Sequence, residues 1–443
     1  MCVRRYRCGR SCFLGISFNT PNQSVMSKHT VSRRAFLMGS AALSGAGLVR
    51  AANIKTRLWP GNRNDVQCGI IGYGPQGRDI TATLARVPGA QVAAICDTYG
   101  PMLRRAQRDA PEATRHEDYR EILDNPDIQA IIVATPTHLH RDIAVNALQA
   151  GKNVYCEAPM ASSIEDAKAI ARAARDATGQ IFQVGQTYRS NPQHRSVFQF
   201  MRSGAIGKPA MARGQWHAKE SWRRASPSAD RVRELNWRLD PAITTGLIGE
   251  AALLQMDVAY WVLGELPASV HGFGQIMAWD DGREVPDTIQ AIFEFPSGLH
   301  MMFDATLASS FDEAYEAYYG SDSTILFRDR GKAWMFKEVD APMLGWEVYA
   351  RTDRFYKETG IALLANATQL DAQNVDPTED DPNVETPLWY ALQEFMDNHA
   401  FGPYPPAANW ERGLEAAAVA ITANQAIMER AQRDIDPASY TLG

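Results

Sequence analysis

From residue 66 onward, short apolar runs alternate with helical stretches, the pattern of a parallel sheet with crossover helices. Runs at 66–71, 91–96, 130–134, 154–156 and 181–184 read as strands. Residues 77–86, 139–150 and 163–177 read as helices, the last strongly amphipathic. After about residue 188 the texture changes. A helix over 194–202 leads to a half-exposed strand over 208–217, then to a polar, Trp- and Arg-rich excursion over 218–245. An irregular stretch of that length is a functional loop rather than a link. A helix is expected over 246–263. Period-two alternation follows at 270–278, 288–295, 299–307, 324–328 and 332–336, which reads as one large open antiparallel sheet. The segment 365–386 reads as loop, and 388–399 and 410–430 as helices.

The first fifty residues follow other rules. They carry Arg4, Arg5, Arg7, Arg10, Lys28, Arg33, Arg34 and Arg50, and no acidic residue precedes Asp65. Paired arginines in Ser32-Arg33-Arg34-Ala35-Phe36-Leu37, a mild Gly/Ala/Ser-rich run and the small residues at Val49-Arg50-Ala51 make a twin-arginine export signal. Cleavage is expected after Ala51, giving a periplasmic or otherwise exported protein; Met26 would start a signal of ordinary length. Losing this segment leaves 37 basic against 51 acidic residues. Such a balance argues against nucleic-acid or anionic-membrane partners. No run of eighteen apolar residues marks a membrane span. Cys68, Cys96 and Cys156 each fall in an apolar strand run and read as unbridged core residues.

The candidate chemistry begins at Gly72-Tyr73-Gly74-Pro75-Gln76-Gly77, which follows the first strand and opens the first helix. The first glycine permits the turn, the second lets backbone approach a pyrophosphate, and the third lets helix and strand pack closely. Asp97 ends the second strand twenty residues after Gly77, where a carboxylate takes the adenosine ribose hydroxyls. It repels a 2′-phosphate, so NAD is favoured over NADP, although Arg104 and Arg105 follow closely. Asp97 also suits capping of the next helix. The fold expected is α/β: a Rossmann doubly wound parallel sheet over 52–187, then an α/β domain with a large open, mostly antiparallel sheet over 188–400. The signal occupies 1–51, and a C-terminal helix and tail 401–443.

Further blocks resemble the Gfo/Idh/MocA oxidoreductase family. Ala134-Thr135-Pro136-Thr137-His138-Leu139-His140 and Ala147-Leu148-Gln149-Ala150-Gly151-Lys152-Asn153-Val154 are similar to its signature. Cys156-Glu157-Ala158-Pro159-Met160 stands where the family carries Glu-Lys-Pro. Gly185-Gln186 with Tyr188-Arg189 and Pro192 resembles the crossover into the second domain. Gly249-Glu250, Leu254-Gln255-Met256-Asp257 and Trp261 resemble the helix that carries an acid and a histidine. The resemblance covers most of 66–435. It implies a sugar, cyclitol or related polyol as substrate, and a homodimer or homotetramer formed through the open sheet. It places Thr135, Pro136, His140, Glu157 and Gln186 along the cofactor; His138 itself reads as a solvated loop residue.

Two family catalytic positions are chemically silent here, because Ala158 replaces the lysine and Leu254 the histidine. A base is still needed to take the hydroxyl proton. His217 at the end of the first strand of the second domain, Tyr188 and Glu250 are the candidates. Each has a structural alternative: a surface histidine, a packing tyrosine, a helix-end carboxylate. Arg189, Lys219, Arg238 and Asp257 are candidates for substrate oxygens, and Trp216 and Trp237 for stacking on a sugar ring. No metal site is expected. The expected activity is an NAD(P)-dependent sugar or polyol oxidoreductase with a non-standard base. Alternatives are a redox-neutral, NAD-dependent glycoside hydrolase or lyase, and a non-catalytic sugar-binding protein.

Overall fold

A computed structural model describes residues 65–328, 332–345, 347–350, 352–355, 358–364 and 384–442. The export signal expected over 1–51 lies outside these residues, as does most of the loop expected over 365–386. The first half contains β1 (Val66–Ile71), α1 (Pro75–Leu84), β2 (Ala90–Cys96), α2 (Gly100–Asp109), β3 (Thr114–His116), α3 (Tyr119–Leu123) and β4 (Ala130–Val133). It continues with α4 (His140–Gln149), β5 (Asn153–Cys156), α5 (Ile164–Asp176) and β6 (Phe182–Val184). All six strands are parallel, in the order β3-β2-β1-β4-β5-β6. Every residue of β4 is buried, because helices cover both faces of a parallel sheet. The cysteines Cys68, Cys96 and Cys156 are buried and free, and burial raises each thiol pKa.

The second half opens with α6 (Pro192–Phe200), β7 (Pro209–His217), α7 (Val232–Leu235), α8 (Gly246–Glu250) and α9 (Leu253–Leu263). The strands β8 (Ser269–Gln275), β9 (Thr288–Glu294), β10 (His300–Thr306), β11 (Ala314–Gly320) and β12 (Ser323–Arg328) follow. The chain then forms β13 (Lys332–Lys337), β14 (Thr352–Phe355), β15 (Glu358–Leu363), α10 (Pro387–Phe401), α11 (Trp410–Glu429) and β16 (Gln432–Asp434). Among the described residues ten strands make one sheet, ordered β14-β15-β13-β12-β11-β7-β10-β9-β8-β16. It is mixed, since β7 and β10 run parallel while the other pairs are antiparallel. Its inner face carries Phe293, Met301 and Phe303 in the core, whereas Phe273, Ile292 and Met302 stand exposed on the outer face.

The structure adds β3, β14, β15 and β16 to the strands expected, and three further features depart from the sequence reading. The strand β11, central in the sheet, was not among the expected strands; it buries Glu316 against the Tyr318 hydroxyl, which donates to it at 3.0 Å. Burial pushes the Glu316 carboxyl up to about 8. The helix expected over 246–263 is broken after Glu250 into α8 and α9. The helix α10, expected with the second domain, instead packs Leu392, Phe395 and Met396 into the core of the first sheet beside Ile70 and Tyr155.

A single helix joins the two cores. Leu414, Ala417 and Ile421 of α11 pack among first-domain residues, while Ala416, Val419 and Ala423 pack in the second. Its run of alanines lets both layers approach. At Gly413 a Cβ would stand 2.6 Å from Val184 and 2.9 Å from the Met160 sulfur, so only glycine fits.

Candidate dinucleotide and substrate site

The glycine turn behaves as three different problems. Gly72 has φ +96, and a Cβ there would meet Ala134 O at 2.6 Å. At Gly77 a Cβ would lie 2.0 Å from Gly72 O. At Gly74 it would meet nothing within 4 Å. The first and third glycines therefore serve packing, and the second borders open space at the start of α1. That is the cradle a pyrophosphate needs. Asp97 lies beside it. Its Oδ2 accepts from Tyr73 N and its Oδ1 from Tyr99 N, each at 2.8 Å. These bonds fix the carboxylate while leaving lone pairs for ribose hydroxyls. Burial, the largest influence on Asp97, raises its pKa against those two amides. The Thr135 hydroxyl, on the next turn, is buried with no partner among the described residues. Open backbone, an oriented carboxylate and an orphaned hydroxyl fit a dinucleotide.

Not every expected cofactor residue faces this space. The Tyr73 ring is fully buried, its hydroxyl donating to Asp109 at 3.1 Å, so only its amide reaches the site. Both ring nitrogens of His140 lie against backbone carbonyls, at 3.0 Å from Pro159 O and 2.9 Å from Thr135 O. Burial lowers its pKa to about 4. His140 thus braces the turn at Thr135 and Pro136 instead of touching cofactor. His138, expected to be solvated, stands half-buried, its ring 6.3 Å from that of Trp237. Gln186 donates to Asp257 at 2.7 Å and to Arg412 O at 3.1 Å. Gln76 and Pro75 begin α1, and Gln76 reaches over to donate to Glu157 at 3.2 Å.

Burial drives the Glu157 carboxyl from 4.5 up to about 7, against the lowering effect of Gln76. A carboxyl with a raised folded pKa binds more protons folded than unfolded, so stability falls as pH rises through this interval. Glu157→Gln is therefore expected to melt higher than the parent by a margin that grows from pH 5 to pH 7.5. Calorimetry of cofactor-free protein checks this; a constant offset would mean that the carboxyl titrates normally.

Around Glu250 the two domains meet. This carboxylate ends α8 with its side chain almost wholly buried. Its Oε1 accepts from Thr245 Oγ1 at 2.7 Å and from Thr137 Oγ1, on the first domain, at 3.3 Å. Arg238 Nε is 3.5 Å from Oε2. Burial raises the Glu250 pKa, with Arg238 the chief opposing influence. The Arg238 guanidinium lies 4.5 Å from the Trp237 ring and 5.6 Å from Trp222, and Trp222 is 6.3 Å from Trp216. Ala158 packs at the junction of both cores. The result is a carboxylate with an arginine and an aromatic wall, beside the loop that follows β4. Thr137, Thr245 and Trp222 were not singled out from sequence. Thr137 is made relevant by a segment 113 positions away, Thr245 and Trp222 by the fold of the excursion and helix start around them.

Several other candidates are placed elsewhere. Trp216 packs toward the inner core, so alternation puts His217 on the outer face of the sheet. There its Nε2 pairs with Asp304 at 2.7 Å and its Nδ1 lies 3.0 Å from Phe311 O. His217 does not join Glu250. Arg189 and Asp257 face each other: Arg189 Nε donates to Oδ2 at 2.8 Å and Nη2 to Oδ1 at 2.7 Å, both side chains buried. They are a structural pin, not free substrate ligands. Tyr188 stacks on His194 at 4.5 Å, and burial lifts its phenol to about 12, so it packs rather than titrates. Lys219 is exposed, 5.2 Å over the Trp279 ring. Among the described residues no group of three His, Cys, Asp or Glu is arranged to hold a metal.

Comparison with known proteins accords with this geometry. The family model for the Gfo/Idh/MocA oxidoreductase family, NAD-binding Rossmann fold, matches residues 66–186, and that for the Gfo/Idh/MocA C-terminal domain matches residues 194–326. A scyllo-inositol 2-dehydrogenase (NAD(+)) of Bacillus subtilis is 28% identical over 263 residues, 58% of this chain and 70% of that protein. Levoglucosan dehydrogenase of Pseudarthrobacter phenanthrenivorans is 32% identical over 213 residues, 46% of this chain and 53% of that one. The chain thus spans about half to 70% of the length of these curated relatives. Among solved structures, a levoglucosan dehydrogenase in complex with NADH and L-sorbose shares the fold with a TM-score of 0.69 at 21% identity, over 84% of this chain and 100% of that one. An aldose-aldose oxidoreductase from Caulobacter crescentus complexed with glycerol gives 0.64 at 19% identity, over 84% and 99%. With both halves matched in order and the glycine turn built as that fold requires, the chain belongs to the Gfo/Idh/MocA oxidoreductase family, and its first domain is the family's NAD-binding Rossmann fold.

Proposed function

We propose that the protein is an NAD-dependent oxidoreductase acting on a secondary hydroxyl of a sugar, cyclitol or related polyol, with Glu250 exchanging the hydroxyl proton. The observation that carries this reading is the position of the Glu250 carboxylate. It hydrogen-bonds Thr137, two residues past Thr135 of the cofactor turn, while Arg238 stands on its other oxygen. The inositol and levoglucosan dehydrogenases among the relatives support a polyol substrate. When bound, the nicotinamide supplies hydride acceptance or return. The chain's own residues do the rest. Glu250 takes the proton, Thr245 and Thr137 hold its orientation, and the Trp222 ring offers a platform for the apolar face of a sugar. Ala158 contributes no proton acceptor, and His217, turned to the outer face, is withdrawn as the base.

Glu250→Gln keeps the shape and removes the proton acceptor. Turnover on an inositol and anhydrosugar panel is expected to fall by about 10²- to 10⁴-fold with NADH affinity retained. Undiminished turnover in this variant would remove Glu250 from the mechanism. The silent position at Ala158 lends support to a second reading, transient oxidation followed by glycoside cleavage and re-reduction. Aglycone release without net change in NADH absorbance separates it from the first.

A further inference from the structure

The excursion over 218–245, which belongs to the second domain in sequence, is built against the mouth of the first. Its base is tied down where Arg283 donates to Ser221 O and Arg223 pairs with Asp281 at 3.1 Å. Asn236 closes it internally, accepting from Arg224 N at 2.7 Å and donating to Val232 O at 2.8 Å. Its outer part then touches two first-domain loops. The Arg231 guanidinium lies 4.3 Å over the Tyr99 ring, just after β2, and Trp237 lies against His138, just after β4. In the sheet β1 sits between β2 and β4, and β1 runs directly into the glycine turn. A segment that touches both flanking loops therefore crosses that turn.

Beneath and within this crossing lie polar atoms without partners among the described residues. Thr135 Oγ1, His138 Nδ1 and Arg231 Nε are all buried and unpaired, and Gly74 borders open space. Buried polar atoms are rarely left so unless something else satisfies them. Residues 221–240 also hold five arginines against three acidic residues, in a chain whose acidic residues outnumber its basic ones. Four of those arginines already pair with carboxylates, Arg223 with Asp281, Arg231 with Glu234, Arg233 with Asp240 and Arg238 with Glu250, so the segment's fit to the cradle rests on its position and on those open polar atoms.

We propose that residues 221–240 form a strap that completes the dinucleotide site from the second domain, with Arg231 and Trp237 as its cofactor-holding residues, so that NAD(H) leaves slowly. The proposal rests on the NAD-dependent reading above and adds to it a second set of cofactor ligands. Release is slow because the strap must lift from both the Tyr99 loop and His138 before the nucleotide can leave.

The test uses the full-length protein loaded with NADH, with release followed by fluorescence after mixing with excess NAD. Arg231→Ala and Trp237→Leu are each expected to release NADH at least about fivefold faster than the parent, the change residing in the off-rate. Release by both within that factor overturns the strap. A second measurement needs no variant. Trypsin cleavage after Arg223, Arg224, Arg231 and Arg233 is expected to slow when NADH saturates the parent, and cleavage unaffected by NADH counts against the proposal. A parent that binds no NADH at all overturns both the strap and the oxidoreductase reading. Tight binding with unprotected arginines sinks the strap alone.

Discussion

Gly74→Val is expected to weaken NADH binding at least 100-fold, about 2.7 kcal/mol, while leaving the melting temperature of the free protein close to that of the parent. The reason is geometric. Gly74 has φ −67, which any residue adopts, and an added Cβ meets nothing within 4 Å. The free protein has room for the side chain. A pyrophosphate does not, because it must come against that backbone to reach the amides at the start of α1. Fluorescence titration with NADH beside a thermal melt makes the comparison. Unchanged affinity would place the cofactor elsewhere. Gly77→Val is the instructive contrast: its Cβ would fall 2.0 Å from Gly72 O, so the turn itself fails and stability goes with it.

Asp257→Ala should destabilise the protein by about 3–5 kcal/mol, the usual cost of stripping one partner from a buried ion pair. Arg189 is held by Asp257 through two arms of its guanidinium, and Gln186 donates to the same carboxylate. Arg189 and Gln186 lie on the crossover from β6, whereas Asp257 lies in the middle of α9. Without the carboxylate a buried guanidinium loses the charge it is bonded to, and only the more distant Glu415 acts on it. Burial raises the Asp257 pKa, and Arg189 is the chief influence holding it down. Calorimetry provides the check, and a loss below about 1 kcal/mol would show that the pair is not what pins α9 to the crossover.

Local chemistry made the first site legible. Gly72, Gly74 and Gly77 follow an apolar run, and the turn they form is written in consecutive residues, although the close approach of Ala134 O to Gly72 comes from the neighbouring strand. Asp97 was legible because a strand of known length fixes where the second strand must end. His217 was not legible in the same way. Alternation shows that it lies opposite Trp216, but nothing in 209–217 says which face meets the first domain; the partner that decides it, Asp304, is 87 residues away. His138 and His140 differ by two positions on one turn, and only the fold puts Pro159 O against His140 and Trp237 beside His138. The strand at Ala314–Gly320 was not among those expected, and only the fold shows its Glu316 buried and bonded by Tyr318.

By itself, the sequence determined the doubly wound first domain, the glycine cradle, the preference for a ribose-binding carboxylate and the silence of the position at Ala158. These depend on periodicity and on contacts within a few residues, and such contacts are written consecutively in the chain. The tertiary structure alone decided that Glu250 meets Thr137, that His217 faces outward, that Arg189 and Asp257 neutralise each other, and that the arginine-rich excursion returns over the cofactor turn. Each of those outcomes depends on which faces of distant segments are brought together, and burial then fixes which polar groups pair and which stay open to a ligand.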